Sequence, residues 1–139
     1  MTRREDWPQA LSAVIRASLS APRQYGVHDC GLHAADAAMA VTGVDPAADL
    51  RGRYDDYFTA LRTLQARRGV RSLEAWADSL YPRVERHEAR RGDWALVRQP
   101  SVPGGRPHPA LVVVDGDCVR GPCGWRGTMD MTVICWLVG

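Results

Sequence analysis

The segment QYGVHDCGLHAADAAMAVTG, residues 24–43, contains the passage from a loop into a helix around which the rest of the chain is organised. Asp29 carries a carboxylate of the kind that caps helix N-termini, and Gly43 stands where helices commonly end with a glycine. The apolar residues between them recur at helical spacing, at Leu32, Ala35 and Met39. We therefore predict a central, buried helix that begins near Asp29 or Cys30 and ends at Gly43.

Three further amphipathic helices are predicted by the same signals. The first begins near Asp6 and stops near Ala21 and Pro22. The third helix of the chain ends at Gly69, and Ser72 can cap the fourth, which Pro82 terminates. The apolar stripe of the third helix consists of Tyr57, Phe58, Leu61 and Leu64.

From Gly92 onward the pattern changes to short runs rich in β-branched and apolar residues, which are typical of strands. The runs are DWALV at 93–97, ALVVVD at 110–115 and MTVICWLV at 131–138. Asp115 and Gly116 suit a two-residue hairpin turn, which predicts a short return strand at 118–120. The Pro- and Gly-rich stretch QPSVPGGRPHP, 99–109, is predicted to be a surface loop that delivers His108 to the next strand.

The order of these elements, helices first and an antiparallel sheet afterwards, predicts an α+β fold. The chain has 139 residues, of which 45% are hydrophobic and 24% charged, and this predicts a single compact domain over residues 1–139.

Charge and composition argue against several classes of protein. The net charge of +2 is spread along the chain, which does not favour nucleic-acid binding. No run approaches the about 18 apolar residues of a membrane span, and the N-terminus lacks a signal-peptide apolar segment, so we expect synthesis and folding in the cytoplasm without membrane binding. Four cysteines without an export signal argue for free thiols rather than a disulfide framework.

Cys30 is the candidate nucleophile, because a helix N-terminus stabilises the thiolate that does the chemistry. Such a thiolate also needs a base within hydrogen-bond reach. His108, at the entrance of a predicted strand, is the favoured partner, whereas His33 shares a helix face with Cys30 and is an alternative. His87 lies among charged residues and is expected on the surface. The competing interpretation of Cys30 is a small buried core residue.

Three stretches, YGVHDCGLHAADAAMAVTG, RRGDWALV and HPALVVVDGD, together resemble the NlpC-type cysteine peptidases, papain-like enzymes that cut peptides of bacterial cell walls. The resemblance covers residues 25–120 and implies a papain-like NlpC-type fold with no cofactor. It implies that Cys30 is the nucleophile, that His108 is the base, and that Tyr25 lines the oxyanion or substrate site with its hydroxyl. His28 and Asp29, beside the nucleophile, are assigned to substrate binding, with helix capping as the alternative.

Two features depart from the family pattern. The serine that follows the family's nucleophile is absent, since Cys30 is followed by Gly31. The polar residue that orients the histidine would fall near Arg120, and a guanidinium cannot accept a hydrogen bond from imidazole. Asp115 and Asp117 are nearby acceptors.

The chain is still more similar to a compact subfamily of short proteins encoded in phage and gene-transfer-agent tail clusters. Members of that subfamily join an HDC helix start to a connector like GVDPAADLRGRY, residues 43–54. This resemblance implies a virion or particle component at the tail tip. Its partners would be peptidoglycan peptides and other tail-tip or hub proteins, and it would hydrolyse peptide bonds of the wall.

An inactive structural component that keeps the peptidase fold is the alternative function. A cysteine-bound metal is a further possibility, because Cys118, Cys123 and Cys135 together with Cys30 supply enough thiolates for zinc or an iron–sulfur cluster. Their spacing fits a metal site poorly. The five tryptophans are expected mainly in the core, with Trp125 as a candidate surface contact.

Overall fold

The computed structural model describes residues 2–100 and 107–139, with the backbone alone at Gln99, Pro100, Pro107 and His108. Within these ranges the α-helices are α1 (Trp7–Ser18), α2 (Cys30–Thr42), α3 (Tyr57–Arg68) and α4 (Leu73–Leu80). The predicted helix starts at Asp6, Asp29 and Ser72 are confirmed as N-cap positions. The predicted ends at Gly43 and Gly69 are confirmed as well.

The strands of the described residues are β1 (Arg83–Val84), β2 (Trp94–Pro100), β3 (Pro107–Asp115), β4 (Cys118–Arg120), β5 (Arg126–Thr128) and β6 (Thr132–Trp136). They form one sheet in the order β1-β6-β2-β3-β4-β5, and all neighbours are antiparallel. The predicted α+β class is therefore confirmed. The two short edge strands β1 and β5 were not predicted, because segments of two or three residues carry no alternation.

The Pro- and Gly-rich stretch at 99–109 differs from its prediction at both ends. Strand β2 continues through Pro100 and β3 begins at Pro107, so that these residues pair instead of forming loop. Proline is tolerated where its ring nitrogen is not needed by a neighbouring strand. Residues 101–106 of the predicted loop lie outside the described residues.

The sheet has a hydrophobic cluster on each face. One cluster contains the fully buried Trp94, Leu111 and Trp136 together with most of α2. The other contains the small and β-branched side chains of Ala95, Val97, Ala110, Val112, Val114 and Val119, with Cys135. Cys30 packs against this second cluster from the start of α2, so the candidate nucleophile lies at the junction of helix and sheet.

Two predicted apolar stripes were partly wrong. Met39 is 42% exposed although α2 is otherwise buried on most sides, and Phe58 is 75% exposed on α3. Helix α2 is rich in alanine and is covered by α1 and β3, so its long Met39 side chain lies on the remaining outer side. Of the α3 residues only Leu64 is buried.

The Asp93 carboxylate, at the start of β2, binds residues near both ends of the chain. It is fully buried and forms an ion pair of 2.9 Å with the Arg3 guanidinium. Its carboxylate also accepts hydrogen bonds of 2.9 Å from the backbone N–H groups of Val138 and Arg90. Asp93 therefore has a structural role in this protein.

Candidate active site around Cys30

Cys30 is the first residue of α2, and its position depends on the cap that precedes it. Asp29 has extended backbone geometry, and its Oδ1 accepts a hydrogen bond of 2.9 Å from the Leu32 N–H. This bond satisfies one of the free N–H groups at a helix start and leaves others available near the thiol. Cys30 is half-buried.

Asp29 also holds the loop and the connector around the thiol. Its Oδ2 accepts hydrogen bonds from the Gly26 N–H at 3.0 Å and from the Tyr54 hydroxyl at 2.7 Å. Burial, and then the neighbouring Asp29 carboxylate, raise the pKa of Tyr54, so this phenol remains a donor. The capping alternative for Asp29 is observed, and a binding role for it stays a prediction.

The connector of residues 43–54 is pressed directly against the loop that precedes Cys30. Gly26 has φ +84°, and a Cβ built on it would lie 2.2 Å from the Tyr54 carbonyl oxygen. The Gly26 carbonyl in turn accepts a hydrogen bond of 2.8 Å from the Gly52 N–H. Only glycine allows both this backbone conformation and this approach. The connector thus forms one wall of the site.

The surroundings of the Cys30 thiol favour its protonated form. Burial raises the pKa of Cys30, and the Asp29 carboxylate adds to the effect. Backbone hydrogen bonds from Leu111 and Gly31 and the charge of Arg23 lower the pKa without reversing the shift. The helix start therefore does not by itself produce the thiolate that the sequence position suggests, and a base is required.

Strand β3 brings the expected base to the same part of the molecule. The Leu111 N–H that faces the Cys30 sulfur belongs to β3, and His108 precedes it on the same strand. The backbone of His108 pairs with Gln99 of β2. The side chain of His108 lies outside the described residues, so its pairing with Cys30 stays a prediction.

A narrow cavity of about 40 Å³ opens beside Cys30. Three phenols, those of Tyr25, Tyr54 and Tyr57, line it between the start of α2 and helix α3. Its other walls are mainly apolar and include Leu50, Leu61, Leu64, Leu73 and Trp76. Trp76 is 2% exposed, and its Nε1–H finds no acceptor among the described residues. The cavity thus combines an apolar interior with polar groups close to the thiol, as small-molecule sites commonly do.

Tyr25 lies near Cys30, and its role in an oxyanion or substrate site stays a prediction. It lines the cavity together with Cys30, and its hydroxyl accepts a long hydrogen bond of 3.4 Å from the Arg23 guanidinium. This weak contact leaves the phenol able to donate its own proton.

The remaining histidines are placed elsewhere. His28 lines a groove between α1 and α2, where its Nε2 lies 3.0 Å from the Ser18 hydroxyl. His33 is buried, and the ring it contacts edge-on is that of His28, with 5.8 Å between centroids. His87 is exposed and close to Glu88, as predicted. Neither His28 nor His33 is among the residues lining the Cys30 cavity.

The proposed orienting position does not lie beside His108. Arg120 pairs with Val113, far along β3 from His108. Asp115 is at the end of that strand, and its carboxylate is bound by both Arg91 and Arg120. Burial alone would raise the pKa of Asp115, but these hydrogen bonds outweigh it and lower the pKa. Asp115 therefore serves as an ion-pair centre at the hairpin end.

The other cysteines do not assemble with Cys30. Cys118 and Cys135 are buried free thiols, whereas Cys123 is exposed. Across residues 2–100 and 107–139, no group of three or more His, Cys, Asp or Glu side chains could hold a metal ion. The four-thiolate site considered from the sequence does not form in this part of the chain.

Sequence reasoning missed three residues of the site, namely Arg23, Tyr54 and Tyr57. Tyr57 was assigned to an apolar stripe and Tyr54 to a polar connector, although both line the cavity. The hydrogen bond from Tyr54 to Asp29 joins residues 25 positions apart. No local pattern reports a contact of that kind.

Comparison with known proteins identifies one family. Residues 2–137 match DUF6950, a domain of unknown function, and the chain belongs to that family. No curated protein and no solved structure matches the chain. In the described ranges every helix is too short or too polar to traverse a bilayer. The family description carries no activity, so the function has to be inferred from the site itself.

Proposed function

We propose that the protein is a cysteine peptidase of the NlpC type that hydrolyses peptide bonds of bacterial cell-wall peptidoglycan. One observation carries the proposal: the Cys30 thiol lies at the N-terminus of a buried helix, lines a cavity, and faces the strand that contains His108. A helix start and a neighbouring strand are the two elements that a papain-like nucleophile and base require. The papain-like fold is part of this proposal.

In the proposed reaction Cys30 attacks the carbonyl carbon of the peptide bond and His108 accepts the thiol proton. The backbone N–H groups at the start of α2 and the Tyr25 hydroxyl donate to the oxyanion that forms. His108 then returns the proton to the leaving amine, which gives a thioester, and water hydrolyses it to regenerate the thiol. Because the pKa of Cys30 is raised, transfer of its proton to His108 has to precede or accompany the attack.

The place of action we propose is the tail tip of a phage or gene-transfer particle. This part of the proposal is supported by the resemblance of the HDC helix start, residues 28–30, and of the connector at residues 43–54 to short tail-cluster proteins. Local digestion of the wall there would assist DNA passage. Other tail-tip or hub proteins would be the protein partners.

A structural tail-tip component without activity is the second candidate. The raised pKa of Cys30 favours it, since an activated cysteine usually has a lowered pKa. The position of Arg120 opposite Val113 favours it too, because the family's orienting residue has no counterpart there. Under this proposal Cys30 is a packing residue of the helix–sheet junction.

Digestion of purified peptidoglycan peptides decides between the two candidates. We expect the parent protein to release new amino termini and Cys30→Ala to release about a thousandfold fewer, because the nucleophile of a cysteine peptidase is indispensable. Cys118→Ala is the matched control, since Cys118 is a free thiol of β4 outside the Cys30 cavity. Equal rates for the parent and Cys30→Ala would exclude the peptidase and leave the structural component.

A further inference from the structure

A second depression, of about 350 Å³, lies on the sheet side of the site. It is lined by Ala110 and Val112 of β3 and by the turn that contains Cys123 and Trp125. Ala110 and Val112 belong to the hydrophobic cluster against which Cys30 packs. Cys30 thus lines the cavity on the α3 side and packs against the cluster whose Ala110 and Val112 line this depression.

Arg23 lines both the cavity and the depression. Its guanidinium contacts the Tyr25 ring at 5.4 Å and the Tyr25 hydroxyl at 3.4 Å. Among the residues that the structure describes, no carboxylate pairs with Arg23. Arg23 is therefore a cation at the site without a carboxylate partner among the described residues.

Among the described residues, the other charged group lining these two spaces is Asp29, which is 3% exposed. Its oxygens already accept hydrogen bonds from Gly26, Leu32 and Tyr54. A ligand entering beside Cys30 therefore meets the positive charge of Arg23 without a competing exposed carboxylate. A guanidinium presents paired N–H donors that match a carboxylate, which makes an acid its natural ligand.

We infer that Arg23 is a specificity-determining residue that binds a carboxylate of the substrate, so that the site takes acyl compounds with a free carboxylate near the reacting carbonyl. The inference rests on the proposed function for its substrate, while the anion-binding role of Arg23 stands on the geometry alone. An amide in place of the carboxylate would lose the ion pair. It would still fit the apolar walls.

Alkylation of Cys30 by two reagents of nearly equal shape tests the role of Arg23. Iodoacetate carries a carboxylate and iodoacetamide carries an amide, and both react with the same thiolate. The ratio of their rate constants cancels any change in the pKa of Cys30. Mass spectrometry of tryptic peptides separates Cys30 from the other thiols, because arginines divide the chain between them.

We expect Arg23→Gln to lower the iodoacetate-to-iodoacetamide ratio at Cys30 about threefold, as for the loss of an exposed ion pair. Arg23→Lys should retain part of the preference, and high salt should reduce the parent ratio. Arg67→Gln, an exposed arginine of α3 that lines neither space, should leave the ratio unchanged. An equal ratio in the parent and Arg23→Gln overturns the inference.

If Cys30 is alkylated too slowly to measure, a binding experiment tests the same inference. N-acetylalanine and its amide are titrated into labelled protein while the backbone amide signals of Gly31 and Gly124, one beside each space, are followed. The acid should shift both signals in the parent and neither in Arg23→Gln. Equal responses to acid and amide, or no response to the acid, overturn the inference. Carboxylate binding without wall digestion would reject the peptidase and retain the role of Arg23.

Discussion

Both ring nitrogens of His33 lack a hydrogen-bond partner among the described residues, although His33 is only 1% exposed. A neutral imidazole always carries one N–H, and leaving such a donor buried and unpaired costs about 1–3 kcal/mol. Burial, and then the neighbouring His28, lower the pKa of His33 to about 4. The His33 imidazole is therefore neutral in the folded protein at every pH above about 4.

The depressed pKa of His33 predicts a loss of stability in acid. Between pH 6.5 and about 4 the unfolded chain binds a proton at this residue and the folded chain does not, so the free energy of unfolding falls as the pH falls. The full effect is about 3 kcal/mol. We expect urea unfolding of His33→Leu to lack this pH dependence and to give a free energy of unfolding at about pH 7 equal to or above that of the parent, because the unpaired buried donor is gone.

His87→Gln serves as the control for this pH series, because the His87 side chain is 80% exposed. It should reproduce the pH dependence of the parent. If His33→Leu and the parent lose stability in parallel between pH 6.5 and 4, the burial of a neutral His33 does not determine acid stability.

At the scale of elements, the site depends on the fit between the loop before α2 and the connector of residues 43–54. Gly26 is the point of closest approach, with the Tyr54 carbonyl 2.2 Å from where a Cβ would stand. Gly52 has a similar positive φ of +71° but has no atom within 4 Å of such a Cβ. The two glycines thus separate the cost of the backbone conformation from the cost of contact.

We expect Gly26→Ala to reduce the free energy of unfolding by about 3 kcal/mol or more, since it adds overpacking to the left-handed strain. Gly52→Ala should cost about 1 kcal/mol, from the strain alone. Urea denaturation of both variants measures the difference. Equal losses would show that the loop and connector do not meet as closely as the structure has them.

Across the whole molecule, Asp93 links the first residues, the start of β2 and the last residues. It binds Arg3 and the Val138 N–H, which lie near opposite ends of the chain. The Arg3 side chain is 7% exposed, so this ion pair is largely shielded from water. Breaking a buried pair by neutralising one partner leaves the other charge uncompensated.

Asp93→Asn should therefore destabilise the fold by about 3 kcal/mol. Asp6→Asn is the matched control. It removes the carboxylate of an exposed ion pair, in which the Arg4 side chain is 49% exposed and the Asp6 side chain 58% exposed. It should change the free energy of unfolding by less than about 0.5 kcal/mol. Thermal and urea unfolding of both variants provide the comparison, and similar losses would contradict a buried role for Asp93.

The local elements were predictable because their signals are short-range. Asp29, Ser72 and Gly43 mark helix ends through bonds to residues only a few positions away. The hairpin between β3 and β4 was predicted from its turn residues, but the two-residue turn is Gly116 and Asp117, one position later than the predicted Asp115 and Gly116, since Asp115 still pairs with Cys118. Exposure was less predictable, as Phe58 shows, because a stripe is buried only where another element covers it.

The candidate site was predictable only in part. Cys30 and Tyr25 were both identified from the single stretch of residues 24–43, and the structure places both at one cavity. Arg23 was missed because its importance comes from facing two spaces, one built by α3 and the other by β3. The thiol's raised pKa was missed as well, since burial is set by neighbours that are distant in sequence.

The sequence by itself determined the α+β order of elements, the capped start of α2 and the presence of a cysteine there, because these depend on hydrogen bonds and periodicities within a few residues. The tertiary structure alone decided what surrounds that cysteine: the Tyr54 phenol on Asp29, the Leu111 N–H on the sulfur, and Arg23 between two spaces. Each of these contacts joins segments far apart in the chain. Their geometry follows from how helix and sheet pack, and packing is a property of the whole core.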